Sequence, residues 1–465
     1  MKSLRRFLIV LTGALVTGAS AVVNTPNIVL LFADDLGFAD VGYNGCTDFP
    51  TPHIDSIARN GVICEQGYVC APVCAPSRAG LLTGRYPTRF GFEDTPGPFI
   101  QSEEVEIGIP LSEKNIAERL KSLGYTTGII GKWHEGRLPQ YQPHRRGFDE
   151  TFYFTDGWTH YFDQPDPLQK IKRGDDPVDL NGEYTTDAFG REAAAFIKRN
   201  KDGPFFLYVP FNAPHVPMEA KPELLERFSS IDSIGRRTLA AMTSSLDTNI
   251  GRILQTLETH GLTQNTLVIF LSDNGGKPSV SGKIESGGGA ANFSLNLPLN
   301  GKKGQLHEGG IHVPFCMQWP ARLPAATRYS HPVSSLDLLP TLIAATGAPV
   351  SKVWKLDGKN LLPYLTGEQN EAPHETLYWR FLYQWAIRSN DWKLIKPKNQ
   401  PLELYRISDD PNETCDLIGN YPEIAEKLQS EYDQWNAEMM QPQWSWIPAF
   451  GGDVRIPAES PKRQW

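Results

Sequence analysis

The chain has 465 residues, of which 40% are hydrophobic and 21% charged, with a formal net charge of −8. That is globular composition, long enough for one large α/β domain plus a smaller one, and such a core needs no disulfide staples. The acidic balance argues against general nucleic-acid binding, so an anionic partner must be met by a few local lysines and arginines.

Residues 1–21 place Lys2, Arg5 and Arg6 ahead of an apolar stretch from Phe7 to Val16. Ala19-Ser20-Ala21 then offers a small-residue cleavage site, and the segment reads as a signal peptide. The apolar stretch is short of a bilayer span and no later segment is apolar enough for one. The expectation is an exported chain, periplasmic or secreted, with no membrane span after signal removal. In an oxidising compartment Cys46, Cys64, Cys70, Cys74, Cys316 and Cys415 are able to form bridges.

The first predicted strand, Asn27–Ala33, ends in Asp34-Asp35. Next comes a segment with Cys70, Cys74, Pro76 and Arg78. Cys74 reads either as a thiol activated by a nearby arginine or as a half-cystine. Ser112 is the expected cap of a helix that aligns Ile116, Leu120 and Leu123 and stops at Gly124. The run Thr126–Ile130 then ends in Gly131-Lys132-Trp133-His134. Phe205–Val209 leads through Asn212 to His215. Leu239, Met242, Leu246, Ile250, Ile253 and Leu257 mark a long amphipathic helix before Gly261. Thr266–Leu271 ends in Ser272-Asp273-Asn274, followed by a Gly/Ser-rich loop over 278–296.

Short apolar runs alternating with helices predict a mostly parallel sheet sandwiched by helices, with ligands at the carboxyl ends of the strands. The expected division is a signal peptide over 1–21, a catalytic domain over 22–373, and a smaller α+β domain with an antiparallel sheet and tail over 374–465. In that last part Pro422 opens a helix running toward Met440.

Asp34, Asp35, Asp273 and Asn274 offer an all-oxygen donor set that suits Ca²⁺, or less well Mg²⁺. The same dipeptides are also ordinary turn chemistry. Arg78, Lys132, His134, His215 and Lys303 flank predicted strand ends and suit transfer of a tetrahedral anionic group: cations where charge develops, and an acid for the leaving oxygen. Arg89, Arg137, His144, Arg145, Trp158 and His160, all expected in loops, are candidate substrate contacts for a sugar, as guanidinium clamps and aromatic platform. Asn292 and Asn412 open N-glycosylation sequons, relevant in a eukaryotic secretory pathway.

Cys74-Ala75-Pro76-Ser77-Arg78 followed by Thr83-Gly84-Arg85 resembles the signature of the formylglycine-dependent sulfatases. It travels in the family's order with Asp34-Asp35, "GKWH", "NAPH", "SDNGG" and "LPLNGKKGQLHEGGIHVPF", and the similarity reaches "DWKLI" and "ELYRISDDPNET". The resemblance implies an alkaline-phosphatase-like fold and an enzyme that hydrolyses sulfate esters, here of a sulfated poly- or oligosaccharide. It also implies Cys74 oxidised to formylglycine (3-oxoalanine) by a formylglycine-generating enzyme or anaerobic maturase.

By the same resemblance Asp34, Asp35, Asp273 and Asn274 hold one calcium with modified Cys74. Arg78 steadies the aldehyde hydrate, His134 assists its collapse, and Lys132 and Lys303 clamp the sulfate. His215 protonates the leaving oxygen, with Lys303 as a possible sharer. Glu135, Asn300 and His312 depart from the family's usual residues, which unsettles any transfer of substrate. The alternatives are a phosphodiester or phosphonate-ester hydrolase on the same scaffold, or a non-catalytic binder of sulfated glycans with Cys74 unconverted.

Overall fold

A computed structural model describes residues 25–96, 107–166, 169–285 and 290–444. The signal-peptide reading, over 1–21, lies outside them, as does most of the tail. The apolar runs form the centre of a ten-stranded sheet: β1 (Asn27–Ala33), β2 (Val62–Cys64), β4 (Thr126–Lys132), β5 (Glu150–Phe154), β6 (Lys172–Arg173), β7 (Asp176–Pro177), β8 (Phe205–Pro210), β9 (Thr266–Ser272), β10 (Phe315–Gln318) and β11 (Thr327–Tyr329). Their order is β11-β2-β10-β9-β1-β8-β4-β5-β6-β7, while β3 (Gly67–Tyr68) and β12 (Val333–Ser334) pair separately. The five strands from β9 to β5 run parallel. β10 is antiparallel to both neighbours.

Both faces of this sheet are covered, which is why its strands read as continuous apolar runs. Ile28, Leu30 and Phe32 face α2 (Cys74–Thr83), α3 (Ile116–Ser122) and α8 (Leu338–Ala345). Val29, Leu31 and Ala33 face α1 (Pro52–Arg59), α4 (Thr185–Asn200) and α6 (Ile234–Thr259). All six apolar positions predicted for the long helix lie on α6 and are at most 1% exposed. Each contributes roughly 1.5–3 kcal/mol of burial.

The helix at 116–122 starts differently from the expectation. Asn115, not Ser112, caps it: Asn115 Oδ1 accepts from the Glu118 N–H at 3.0 Å, and Glu118 Oε2 accepts from the Asn115 N–H at 3.0 Å. A glutamate three residues on lets Asn115 close this reciprocal box. Leu123 falls at the helix end and is 41% exposed, outside the buried face. The bridges considered for an oxidising compartment are absent, since all six cysteines carry free thiols.

The C-terminal part holds a four-stranded antiparallel sheet of β13 (Thr376–Phe381), β14 (Gln384–Ser389), β15 (Trp392–Lys396) and β16 (Glu403–Arg406). The helix begun at Pro422 ends at Asn436, and Trp385 stacks on its Tyr432 with ring centroids 4.2 Å apart. Buried Lys393 of β15 bonds Glu308 at 2.8 Å and Glu413 at 2.7 Å, and Trp379 Nε1 donates to the Val69 carbonyl at 2.8 Å. The small sheet is thereby joined to the segments on either side of Cys74 and Lys303.

Candidate functional site

Parallel pairing sets the ends of three central strands side by side. Ala33 of β1 is opposite Ser272 of β9, and Phe32 is opposite Pro210 of β8. Asp34 and Asp35 therefore emerge beside Asp273 and Asn274, with His215 on the next loop and Lys132 at the end of β4. Asp35 takes a left-handed backbone (φ 62°), as does His134 (φ 64°). A non-glycine residue held there is a form of strain that concentrates at functional sites. Arg78 does not flank a strand end as expected: with Cys74 it occupies the first two turns of α2, so the positive end of that helix lies at Cys74.

The cluster is buried and densely paired. Arg78 grips Asp273 Oδ2 through Nη2 at 2.6 Å and Nε at 3.1 Å, and stands 3.7 Å from Asp34 Oδ1. Its guanidinium lies 4.9 Å from the centre of the Phe32 ring. Lys132 Nζ donates to Asp34 Oδ2 at 2.7 Å, and Lys303 Nζ reaches Asp35 at 2.7 and 2.8 Å. Asn274 Nδ2 donates to Asp35 Oδ1 at 2.7 Å, and the Asp35 N–H donates to Asp273 Oδ1 at 3.0 Å. His215 Nδ1 donates to the Val216 carbonyl at 2.7 Å, which turns Nε2 toward Asp35, 3.6 Å away. Asp34, Asp35 and His215 have ligand atoms within 4.8 Å of one another.

Burial and neighbouring charge divide these groups. Burial pushes the Asp34 carboxyl up to about 8 despite Lys132. Burial also opposes the charge on Asp35, but Lys303 and His215 outweigh it and hold that carboxyl well below the usual range. His215 is lowered to about 3 by burial and then Lys303, against Asp35. His134 is driven well below its usual value by burial and by Lys132 and Arg78, so both imidazoles are neutral at pH 7. Burial raises the Cys74 thiol. Lys303, its burial outweighed by Asp35, keeps its proton firmly.

The oxygens of the cluster fit a hard cation. Asp34 Oδ1 and Asn274 Oδ1 are buried with no hydrogen-bond partner among the described residues. A buried orphan acceptor is costly unless something meets it, and here the orphans lie among further carboxylates. The donors are all oxygen, as Ca²⁺ and Mg²⁺ prefer.

The six residues proposed to touch substrate separate into two groups. A Cβ at Gly157 would come within 2.8 Å of the His134 ring, so the segment carrying Trp158 and His160 passes against that imidazole. Their rings lie 5.4 Å apart, and His160 Nδ1 is 2.7 Å from Glu219 Oε1. Arg137, on the loop after His134, pairs with Asp156 at 2.5 Å. Arg89 instead bonds Asp357 at 2.7 Å and Glu438 at 3.3 Å, and His144 stands 3.4 Å from Asp175. Arg145 lines a cleft with Lys114, Glu118 and Gln140. Among the described residues, none of these partners of Arg89, His144 and Arg145 belongs to the cluster.

Several supporting residues escaped the sequence reading. Tyr161 donates to the carbonyls of Asn212 and His215, both at 2.8 Å; it directly follows His160 in the chain. Asn292, legible as a sequon, is fully buried with its amide engaged, so it is no glycan acceptor in the folded chain.

Comparison with known proteins points one way. The sulfatase family model matches residues 26–348, and the model of the C-terminal part of N-sulphoglucosamine sulphohydrolase matches 302–438. The dog (Canis lupus familiaris) N-acetylgalactosamine-6-sulfatase is 35% identical over 382 residues, 78% of this chain and 70% of that one. Human (Homo sapiens) arylsulfatase A is 31% identical over 469 residues, 88% and 87% of the two chains. The crystal structure of Ps i-CgsB in complex with k-i-k-neocarrahexaose superposes with a TM-score of 0.82 at 38% identity, over 90% of this chain and 95% of that one.

Proposed function

The chain belongs to the sulfatase family, and from that premise we propose that it is an exported enzyme that removes sulfate from a sulfated poly- or oligosaccharide at the cluster around Cys74. As a sulfatase it is a sulfuric ester hydrolase. The observation that carries the finer reading is the joining, at the head of α2, of a paired-cation set with buried orphan oxygens. Arg78, Lys132 and Lys303 meet Asp34, Asp35 and Asp273 in a largely buried cluster.

In this reading Asp34, Asp35, Asp273, Asn274 and converted Cys74 hold one calcium. When bound, that ion supplies Lewis acidity toward a sulfate oxygen and offsets the repulsion among the carboxylates. Conversion of Cys74 to formylglycine, by a formylglycine-generating enzyme or anaerobic maturase, would supply as its hydrate one hydroxyl to take the sulfuryl group as the sugar alcohol leaves, and a second whose deprotonation expels sulfate and restores the aldehyde.

The remaining work falls to the surrounding side chains. Lys132 and Lys303 bind the anionic sulfate oxygens, and Arg78, fixed by Asp273, orients the converted side chain. Neutral His134 can accept a proton, as a base must. The leaving-group proton is assigned to His215 and Lys303 together, as the resemblance implied, with Lys303 the better-protonated of the two. His215 donates Nδ1–H to a carbonyl and presents a bare Nε2, whereas Lys303 keeps its protons. Trp158 and His160, on the segment beside His134, serve as the sugar platform.

A carbohydrate substrate is supported by the likeness to a sulfatase named for N-acetylgalactosamine 6-sulfate and to a structure solved with a neocarrahexaose. Export to the periplasm or outside rests on the sequence of residues 1–21. Among the described residues, no helix is long and apolar enough to cross a membrane. The test offers a panel of defined sulfated oligosaccharides and measures free sulfate. Cys74→Ala is expected to abolish release with an unchanged urea midpoint, and near-normal turnover would overturn the role of Cys74.

A further inference from the structure

Asn292 lies 257 residues from Asp35 in sequence and is fully buried against it. Its Nδ2 donates to the Asp35 carbonyl at 2.9 Å and to the Pro214 carbonyl at 3.3 Å. Its Oδ1 accepts from the Lys277 N–H at 3.1 Å and from the Ser294 N–H at 3.2 Å. One amide thus satisfies the backbone after β1, the backbone immediately before His215 after β8, and the backbone following Asp273-Asn274 after β9. These three strands are neighbours in the sheet.

Such a tie matters because the three loops are irregular where their chemistry sits. Asp35 has left-handed backbone, a state that persists only when its surroundings over-determine it. Its carbonyl is buried and needs a donor. An asparagine side chain offers two donors and two acceptor lone pairs in one plane. Aspartate of the same shape offers no donor when ionised and faces two carbonyl oxygens with its own.

We propose that Asn292 is the positioning residue that holds Asp35, His215 and the Asp273-Asn274 turn in mutual register, a role resting on the sulfatase reading above. The chain uses a buried amide where a surface glycan acceptor was legible. A displacement of about 1 Å at reacting groups costs on the order of 100-fold in rate.

The test compares wild type, Asn292→Asp, Asn292→Ala and Ser294→Ala. Ser294 anchors the same segment elsewhere, accepting from the Gly37 N–H at 2.7 Å and donating to Asp40. In both Asn292 variants kcat for sulfate release is expected to fall about 30- to 100-fold with KM within about threefold. Hydrogen–deuterium exchange is expected to rise together over 34–36, 212–216 and 275–278. Ser294→Ala should stay within about threefold in kcat and leave those three segments unchanged, as its hydroxyl bonds Gly37 and Asp40, outside them. The proposal is overturned by near-normal kcat in Asn292→Asp, by exchange that rises around 292 alone, or by equal effects in Ser294→Ala. Failure of both Asn292 variants to fold, with Ser294→Ala folded, also overturns it, since a positioning role leaves the core intact. If wild type released no sulfate from any panel member, the sulfatase reading would fall while the exchange comparison still decided the tie.

Discussion

Replacing Arg78 by leucine isolates what the buried charges cost one another. Arg78 is fully buried, bonds Asp273 twice and stands close to Asp34. Its removal leaves Asp273 without its guanidinium in a dry site, and breaking a buried pair in this way costs about 3–5 kcal/mol. Leucine against Phe32 returns about 1 kcal/mol through burial. The net loss is about 2–4 kcal/mol, or about 30- to 1,000-fold in the ratio of folded to unfolded chain at 1.4 kcal/mol per factor of ten. Urea unfolding followed by tryptophan fluorescence, in EDTA and extrapolated linearly to water, reads this directly. Added calcium should then raise the midpoints of wild type and variant, because an ion that binds the folded chain alone stabilises it by mass action. A variant within about 0.5 kcal/mol of wild type in EDTA would refute the electrostatic account of the site.

Two further outcomes follow from buried titratable groups. Glu135 is fully buried, neither carboxyl oxygen has a hydrogen-bond partner among the described residues, and burial drives its pKa well above the usual range. Glu135→Leu should therefore stabilise the fold by about 1–2 kcal/mol in urea while sulfate release stays within about threefold. A destabilised variant would mean that the acid is paired. His215 has a folded pKa of about 3 against an unfolded value of 6.5. The stability it contributes is complete above pH 6.5 and is lost as pH falls toward 3, by at most about 1.4 kcal/mol per pH unit. In EDTA, His215→Gln should flatten the decline of the urea midpoint between pH 7 and pH 5, and an unchanged slope would count against this.

What the sequence disclosed was local. Asp34-Asp35, Lys132, His134, His215 and Asp273-Asn274 each sit within a few residues of the end of an apolar run, so fold and cluster could be read from adjacency to a strand. Cys74 and Arg78 were legible as a motif but not as a helix start. What stayed hidden was partnership across long separations. Nothing near Arg89 announces Asp357, 268 residues away, so an arginine engaged in holding the chain together looks from sequence like one available to a sugar. Asn292 shows the same limit from the other side, since its neighbours spell a surface signal while two of its four partners, Asp35 and Pro214, come from distant loops. Ser112 was the expected cap, and Asn115 takes its place because Glu118 closes the reciprocal box with it.

The buried ammonium of Lys393 makes the C-terminal sheet and the larger unit one inheritance. Glu308, five residues beyond Lys303, meets it inside the protein. A polypeptide cut near residue 373 would strand that carboxylate without the Lys393 ammonium, five residues along the chain from Lys303. Excision would thus yield a crippled enzyme, not a minimal one, and harmful changes can arise in the small sheet without touching the reacting groups.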